Sequence, residues 1–295
     1  MAALNYATQY QQALEQEFPY VLYFGALFST PNNGRYRWLN SKVIEIPHIS
    51  TTGRKDGNRD TIGEKKRNYD AEWKPLTVNN HRTWSTLVHP RDIQETNQVA
   101  SIANITRVFN EEQKFPEMNA YCISKLYADY TGASKTADET VLTVDNVLEV
   151  FDNMMTAMDE KRVPRAGRIL YVTPQTRALI TNAKQIVRTL DVSKRSEAIS
   201  SIDDVIIPPS VPSDMMKTVY DFTNGWKVGA TADQINMCLV HPMAVITPVH
   251  YEFAQLDAPS AGSDGKWVYF EESFEDVFLL PYKTDAIAFN ITKHS

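Results

Sequence analysis

Alternating apolar and polar residues predict a long β-hairpin near the N-terminus. The clearest alternation lies in "TWSTLVH", where successive side chains of an extended chain would point to opposite faces. The two faces comprise Trp84, Thr86 and Val88 on one side and Ser85 and Leu87 on the other. We therefore predict a hairpin over residues 37–88. Its rising arm is "VIEIPHI", and its falling arm runs from Trp73 through "TWSTLVH".

The tip of this hairpin is a long charged stretch, residues 53–74. It carries seven Lys or Arg, five Asp or Glu and three Gly, and loops this long are uncommon unless they are functional or disordered. The basic run 64–67 could be a nucleic-acid patch, but the nearby acids nearly cancel its field. Mixed charge on a projection instead favours docking on a protein partner. The predicted contact residues are Arg54, Lys55, Asp56, Arg59, Asp60, Glu64, Lys65, Lys66, Arg67 and Tyr69.

Helical spacing replaces the alternation over about residues 90–131. Pro90 stands at a plausible first helical position. One apolar stripe is formed by Val99, Ile102, Ile105 and Phe109. A second stripe, over residues 118–130, ends near Gly132. The pattern predicts a long helical spine that is interrupted at Phe115 and Pro116.

A third helix is predicted to follow, with Thr143 as its N-cap and Asp145 in its first turn. Its apolar face is rich in methionine, which is compatible with a cofactor box or with core packing. Helical spacing favours core packing. The face consists of Val147, Phe151, Met154, Met155 and Met158.

The remainder of the chain predicts one strand–helix unit, a loop-rich region and a set of strands. In "GRILYVTPQTRALITNA", a strand leads into a helix that Thr173 caps and Pro174 opens. This junction has no glycine-rich loop, so a phosphate site there is disfavoured. Residues 184–234 are predicted as loop-rich. The later strands are predicted in "INMCLVHPMAVITPVHYEF", "GKWVYFEESFEDVFLL" and "DAIAFNIT".

The first 36 residues are predicted to form an arm. A Gln-rich helix candidate over residues 6–18 precedes an aromatic segment with a turn at 31–34. The aromatic segment lies outside any clear domain pattern, so it needs a surface to cover, which could belong to another chain. The predicted contact residues of the arm are Phe18, Tyr20, Tyr23, Phe24 and Phe28.

Composition narrows the classes of partner. The 295 residues, 43% of them apolar, can form one large or two small cores. A net charge of −6 gives no global attraction for nucleic acid. No window is apolar enough to span a membrane, and the N-terminus lacks the features of a secretion signal. Cys122 and Cys238 lie in apolar surroundings, as buried thiols of a reducing compartment do.

The common nucleotide, metalloprotease, redox and hydrolase motifs are absent from the sequence. We therefore predict no catalytic, cofactor or metal site. The best catalytic candidate is an acidic set, because two carboxylates can divide general acid and base work. On an extended strand this set would split into two faces that meet basic side chains, within the chain or across subunits. Its members are Glu271, Glu272, Glu275 and Asp276.

The sequence resembles the HK97-fold major capsid proteins of tailed bacteriophages, in particular a group found in phages and prophages of Gram-positive bacteria. The order of an aromatic arm, a charged hairpin, a spine helix and an α/β region carries the resemblance. It is carried by residues 20–38, 59–73, 84–97, 101–130, 168–174 and 251–278. The resemblance covers nearly the whole chain and implies an α+β fold.

The resemblance also implies a domain layout. Residues 1–36 would be an N-terminal arm that lies over a neighbouring subunit, and residues 37–88 the extended loop whose tip rests on an adjacent one. A peripheral domain would take residues 89–135 and 249–282. An axial domain would take residues 136–248 and 283–295, with the loop 194–213 at the capsomer centre.

The resemblance finally implies a structural, non-enzymatic protein that assembles into hexamers and pentamers around double-stranded DNA. A separate scaffolding protein and a portal are the expected partners, and whether a decoration protein also binds stays open. The expected location is the virion, with assembly in the host cytoplasm and no membrane contact. Two alternatives stay open, an encapsulin-type nanocompartment shell and, more remotely, a soluble hydrolase that uses the Glu271–Asp276 acidic cluster.

Overall fold

The computed structural model describes residues 20–54, 56, 67–96, 101–183, 201, 202 and 204–294. It contains helices and mainly antiparallel sheets that are largely segregated along the chain, as in an α+β fold. Within the described residues the α-helices are α1 (Gly25–Phe28), α2 (Pro90–Glu95), α3 (Ile102–Phe109), α4 (Phe115–Gly132), α5 (Val147–Glu160) and α6 (Pro174–Asn182). Short 3₁₀ helices lie at Pro31–Gly34, Ser213–Met215, Pro242–Ala244, Ala261–Ser263 and Thr284–Ala286.

The strands form several separate sheets. They are β1 (Arg37–Asn40), β2 (Val43–Thr51), β3 (Tyr69–Thr77), β4 (Asn80–Val88), β5 (Ile169–Val172), β6 (Ser201–Ile202), β7 (Val205–Ile206), β8 (Tyr220–Asp221), β9 (Lys227–Val228), β10 (Gln234–Val240), β11 (Val245–Ile246), β12 (Val249–Asp257), β13 (Trp267–Glu275), β14 (Phe278–Leu279) and β15 (Ile287–Thr292). The larger sheets have the orders β1-β2-β3, β12-β13-β4 and β15-β10-β5-β7-β6.

The spine is a continuous helical segment from α3 to α4. Ser101 caps α3, because its side chain accepts a hydrogen bond from the Asn104 N–H. A π-helical turn, Asn110–Lys114, joins the two helices. The predicted interruption at Phe115 and Pro116 is therefore wrong. Pro116 lies in the first turn of α4, directly after the π-helical turn.

Helix α5 begins three residues later than predicted, and its N-cap is Asn146. The Thr143 N–H donates to the Asn146 side chain at 2.7 Å, and the Thr143 carbonyl accepts from the Val147 N–H. Thr143 thus belongs to a turn before the helix, and its assignment as N-cap is wrong. The methionine-rich face of α5 is buried as predicted.

The five-stranded sheet lies between α4 and α5. Its strands alternate between two buried clusters, so that Tyr171 and Cys238 pack with α4 while Leu170 and Leu239 pack with α5. Cys122 of α4 is also fully buried. The prediction that both cysteines are buried is confirmed. Burial raises the pKa of both thiols, because the charged thiolate loses its hydration.

The predicted hairpin 37–88 divides between two sheets. Strands β2 and β3 pair from Val43 with Thr77 to Thr51 with Tyr69, whereas β4 pairs with β13 along its whole length. The continuation of the falling arm through "TWSTLVH" is therefore wrong. Alternation shows which faces a strand has and not which strand it pairs with. The predicted faces of β4 are confirmed, because Val88 is buried while Leu87 is 61% exposed.

No helix in the described part of the chain has both the length and the apolar character needed to cross a membrane. In that same part, no cluster of three or more His, Cys, Asp or Glu side chains is placed to hold a metal ion. The helix predicted over residues 6–18 lies outside the described residues.

Candidate assembly surfaces

Strands β2 and β3 form a ribbon, called the hairpin below, that is anchored at its base and exposed further out. Ile44 of β2 is fully buried in a cluster with Ile246, Phe278 and Leu280. Beyond His48 every described residue of β2 is exposed, and so is every residue of β3 from Tyr69 to Trp73. Both faces of the outer hairpin are therefore in solvent in the single subunit.

The outer hairpin exposes large apolar groups. Ile49 is 66% exposed, Tyr69 56% and Trp73 44%. Arg37 partly covers Trp73, with the guanidinium carbon 3.7 Å from the ring centroid. An isolated two-stranded ribbon is marginally stable in water, and exposed apolar surface on such a ribbon favours a partner.

Four of the predicted tip residues lie in the described part of the chain: Arg54, Asp56, Arg67 and Tyr69. All four are exposed. The Arg67 guanidinium lies 4.7 Å from the Tyr69 ring centroid and 3.8 Å from Asp70. Exposed pairs of this kind contribute only about 0–1 kcal/mol, so they leave these side chains available to a partner. The other predicted tip residues, Lys55, Arg59, Asp60, Glu64, Lys65 and Lys66, lie outside the described residues.

The described part of the aromatic arm packs on its own subunit. Phe24 has no exposed surface, and its ring centroid lies 4.7 Å from that of Tyr171 in the sheet. Asn119 of α4 accepts a hydrogen bond from the Phe24 N–H and donates one to the Val21 carbonyl. The prediction that Phe24 contacts another chain is therefore wrong.

The other arm residues are half-buried. Tyr20 packs edge-on against Trp226, and its hydroxyl donates to Asp214 at 3.0 Å. Tyr23 and Phe28 pack against the same buried cluster as Phe24. An inter-subunit role for their exposed edges stays a prediction, and Phe18 lies outside the described residues. Sequence reasoning missed the partners of the arm, such as Trp226 and Asp214, because they are far from it in the sequence.

The acidic set lies on β13 and just beyond it, beside a cleft of about 330 Å³ between the spine and the sheet. Glu271 pairs with Lys114 at 3.2 Å and accepts from the Tyr269 hydroxyl at 2.8 Å. Burial and this hydrogen bond raise the pKa of Tyr269 to about 12. Glu272 lies 2.6 Å from His81 Nε2. Glu271 and Glu272 thus contact basic side chains of the same chain, and a contact of this set across subunits stays a prediction.

Asp276 is buried and joins three parts of the fold. It accepts hydrogen bonds from the Asn79 N–H, the Val277 N–H and the Tyr121 hydroxyl, at 2.9, 2.8 and 2.7 Å. Asn79 lies between the hairpin and β4, and Tyr121 lies on the spine. Burial, together with the nearby Asp276, raises the pKa of Tyr121, so that its hydroxyl stays a donor. Asp276 thus holds the base of the hairpin to the spine.

Glu275 differs from its neighbours, because burial raises its pKa and the nearby Lys114 only partly opposes the shift. The folded state therefore binds this proton more tightly than the unfolded state does. The carboxyl destabilises the fold as pH rises through the ordinary value of 4.5 toward the higher folded value. We expect Glu275→Gln to raise the melting temperature at pH 7 and to have little effect at pH 4, measured by thermal unfolding.

The matched control is Glu95→Gln. Glu95 is an exposed carboxylate outside the cleft, so its substitution should change the melting temperature little at pH 7 or at pH 4. A lower melting temperature for Glu275→Gln at pH 7 would show that the attraction to Lys114 outweighs the cost of burial.

No family model matches the sequence, and the comparison with curated proteins finds no match. Solved structures do match. A structure from Mycobacterium phage Che8 superposes with a TM-score of 0.65 at 13% identity, over 94% of this chain and 93% of that one. The mature capsid of bacteriophage PhiM1 gives 0.67 at 12% identity, over 96% and 90% of the two chains. The chain has the HK97-type capsid fold.

Another HK97-type match is the capsid of the cyanophage P-SCSP1u, with a TM-score of 0.64 at 10% identity, over 96% of this chain and 91% of that one. At such identities the likeness establishes the fold. It confirms the α+β, HK97-type fold expected from the sequence. The hairpin, the spine and the five-stranded sheet are thus parts of one HK97-type fold.

Proposed function

We propose that this chain is a major capsid protein of a tailed bacteriophage, which assembles as hexamers and pentamers into an icosahedral head around double-stranded DNA. The observation that carries the proposal is the outer hairpin, which projects from an HK97-type subunit with both faces exposed. A subunit that acts alone gains nothing from this surface.

The exposed apolar groups supply the driving force for assembly. Burying apolar surface contributes about 25 cal/mol per Å², and Ile49, Tyr69 and Trp73 are all exposed on the hairpin. Charged residues beside them keep the free subunit in solution and would fix the register of docking. Closed symmetry repeats the same contact in every subunit, so that modest interfaces accumulate.

The proposed domains follow the elements of the fold. Strands β1 to β3 form the extended loop, which ends at Thr77 and not at residue 88. The spine and the sheet β12-β13-β4 form the peripheral domain. The five-stranded sheet with α5 and α6 forms the axial domain. Of the predicted loop 194–213, residues 194–200 and 203 lie outside the described residues.

The proposed partners are sister copies of the chain, a separate scaffolding protein and a portal, and the binding of a decoration protein stays open. Packaged DNA would be contacted weakly and without sequence preference, and a net charge of −6 is compatible with this because it gives no overall attraction to phosphate. The protein would lie in the virion and assemble in the host cytoplasm. Glu271, Glu272 and Asp276 bind groups of their own subunit, which favours a structural role over hydrolysis.

Electron microscopy of the purified full-length protein, alone and co-expressed with a candidate scaffolding protein, tests the proposal. We expect capsomers or closed shells, because the exposed hairpin can dock on sister subunits. Small shells of fixed size filled with protein cargo would indicate the encapsulin-type alternative. A protein that stays monomeric at high concentration under both conditions, with its hairpin amides protected from exchange, would contradict the proposal.

A further inference from the structure

Tyr282 lies against one face of the hairpin just where the buried base ends. Its ring stacks on His48, with centroids 3.6 Å apart and an interplanar angle of 14°. Lys74 Nζ lies 4.2 Å from the ring centroid, and the Tyr282 hydroxyl donates to Glu72. One side chain of the subunit body thus contacts both strands of the hairpin, an arrangement called the Tyr282 clamp below.

The turn that carries Tyr282 is fixed to the body. Leu280 is buried in the cluster at the hairpin base, and its N–H donates to the Ala244 carbonyl at 2.8 Å. Pro281 restricts the backbone before Tyr282. After it, the Lys283 N–H bonds back to the Leu280 carbonyl, and Lys283 Nζ donates to the Met243 carbonyl. Tyr282 is 53% exposed, yet it stands on a rigid support.

The clamp lies further out along the hairpin than the buried base. Ile46 and Leu76 still pack against the buried cluster, and His48 and Glu72 come after them on the two strands. Beyond this level the described residues of the hairpin are exposed on both faces. The clamp therefore lies at the point about which the outer hairpin can rotate. The outer part of β2 from His48 to Thr51 is roughly 10 Å long, so a rotation of about 10° about the clamp would displace Thr51 by about 2 Å.

We propose that Tyr282 is a positioning residue for assembly: it sets the angle at which the hairpin leaves the subunit, and so directs the hairpin to its site on a neighbouring copy. This inference rests on the proposed capsid function and adds to it a residue that controls docking. The Tyr282 ring stacks on His48 and contacts the Lys74 ammonium group, and the hydrogen bond from its hydroxyl to Glu72 fixes the orientation of the ring. Contacts that hold the hairpin in place before assembly reduce the conformational entropy that is lost on docking.

The test compares Tyr282→Ala, Tyr282→Leu and Tyr282→Phe in the full-length protein. Hydrogen exchange of the free subunit reports the hairpin, and electron microscopy reports the yield and diameter of the shells. Tyr282→Ala should speed exchange of the amides of residues 45, 46, 48–50 and 70–74 by about tenfold and broaden the distribution of shell diameters. Tyr282→Leu, which keeps bulk without a stacking ring, should behave in the same way. Tyr282→Phe keeps the ring and should restore diameters close to those of the wild type.

Each outcome decides for or against the clamp. Shells of normal yield and diameter from both Tyr282→Ala and Tyr282→Leu would overturn it and leave the proposed function intact. So would a Tyr282→Phe variant as defective as Tyr282→Ala, because the ring would then not be the active part. If the wild type forms no shells, the proposed function fails, and unchanged exchange in Tyr282→Ala would then reject the clamp independently.

Discussion

Removal of residues 54–70 should leave a folded subunit that no longer forms shells. The buried base of the hairpin lies outside the deletion, since Ile44 and Val78 belong to a cluster with the subunit body. Ile49 of β2 pairs with Ala71 of β3, so residues 50–53 can close the shortened hairpin as a short loop. The described residues of the deleted segment, 54, 56 and 67–70, contribute nothing to the buried clusters. Loss of the segment should therefore change the melting temperature little.

Assembly should respond differently, because the tip and the exposed start of β3 are the proposed docking surface. Analytical ultracentrifugation and electron microscopy would measure the loss of shells, and thermal unfolding would measure the stability of the subunit. The control keeps the length and composition of residues 54–70 but scrambles their order. Normal shells from the deletion variant would show that the docking surface lies elsewhere on the subunit.

Local features of the fold were predictable from the sequence. Thr173 caps α6 and Pro174 opens it, because cap and first-turn chemistry depend on a few adjacent residues. His89 and Pro90 open α2 in the same way. The apolar stripe that ends near Gly132 marks the buried face of α4, since helical spacing places its members on one side.

Pairing over long sequence distances was not predictable. The alternation around Trp84 is the same whether β4 pairs with β2 or with β13. Tertiary contacts decide, among them the stack of Trp84 on Phe109 at 3.8 Å and the bond from the Asn79 N–H to Asp276. A competing local bond likewise moved the start of α5, where Asn146 takes the place predicted for Thr143.

The candidate surfaces were predictable in part. Charge pattern alone singled out the tip, and Arg54, Asp56 and Arg67 are indeed exposed. The exposed apolar groups Ile49 and Trp73 were missed, because an apolar residue in a strand is expected to face a core. Tyr282 was missed too, since its role depends on the approach of a distant turn to the hairpin.

Phe24→Ala should destabilise the isolated subunit by about 3–5 kcal/mol, the usual cost of removing a buried phenylalanine ring. Phe24 is fully buried against Tyr171, and the cavity left behind would lie in the cluster between α4 and the sheet. That cost is a large part of the roughly 5–15 kcal/mol that stabilises a typical domain. Urea unfolding of the free subunit measures the change in the free energy of unfolding.

The control for Phe24→Ala is Val21→Ala in the same segment. Val21 is 53% exposed, so its truncation should change the free energy of unfolding by no more than about 0.5 kcal/mol. The pair of variants separates two accounts of the arm. If the arm packed on a neighbouring copy in solution, Phe24→Ala would leave the free subunit unchanged and weaken only the shells. If Phe24 is buried in its own subunit, Phe24→Ala will instead destabilise the free subunit, before any step of assembly.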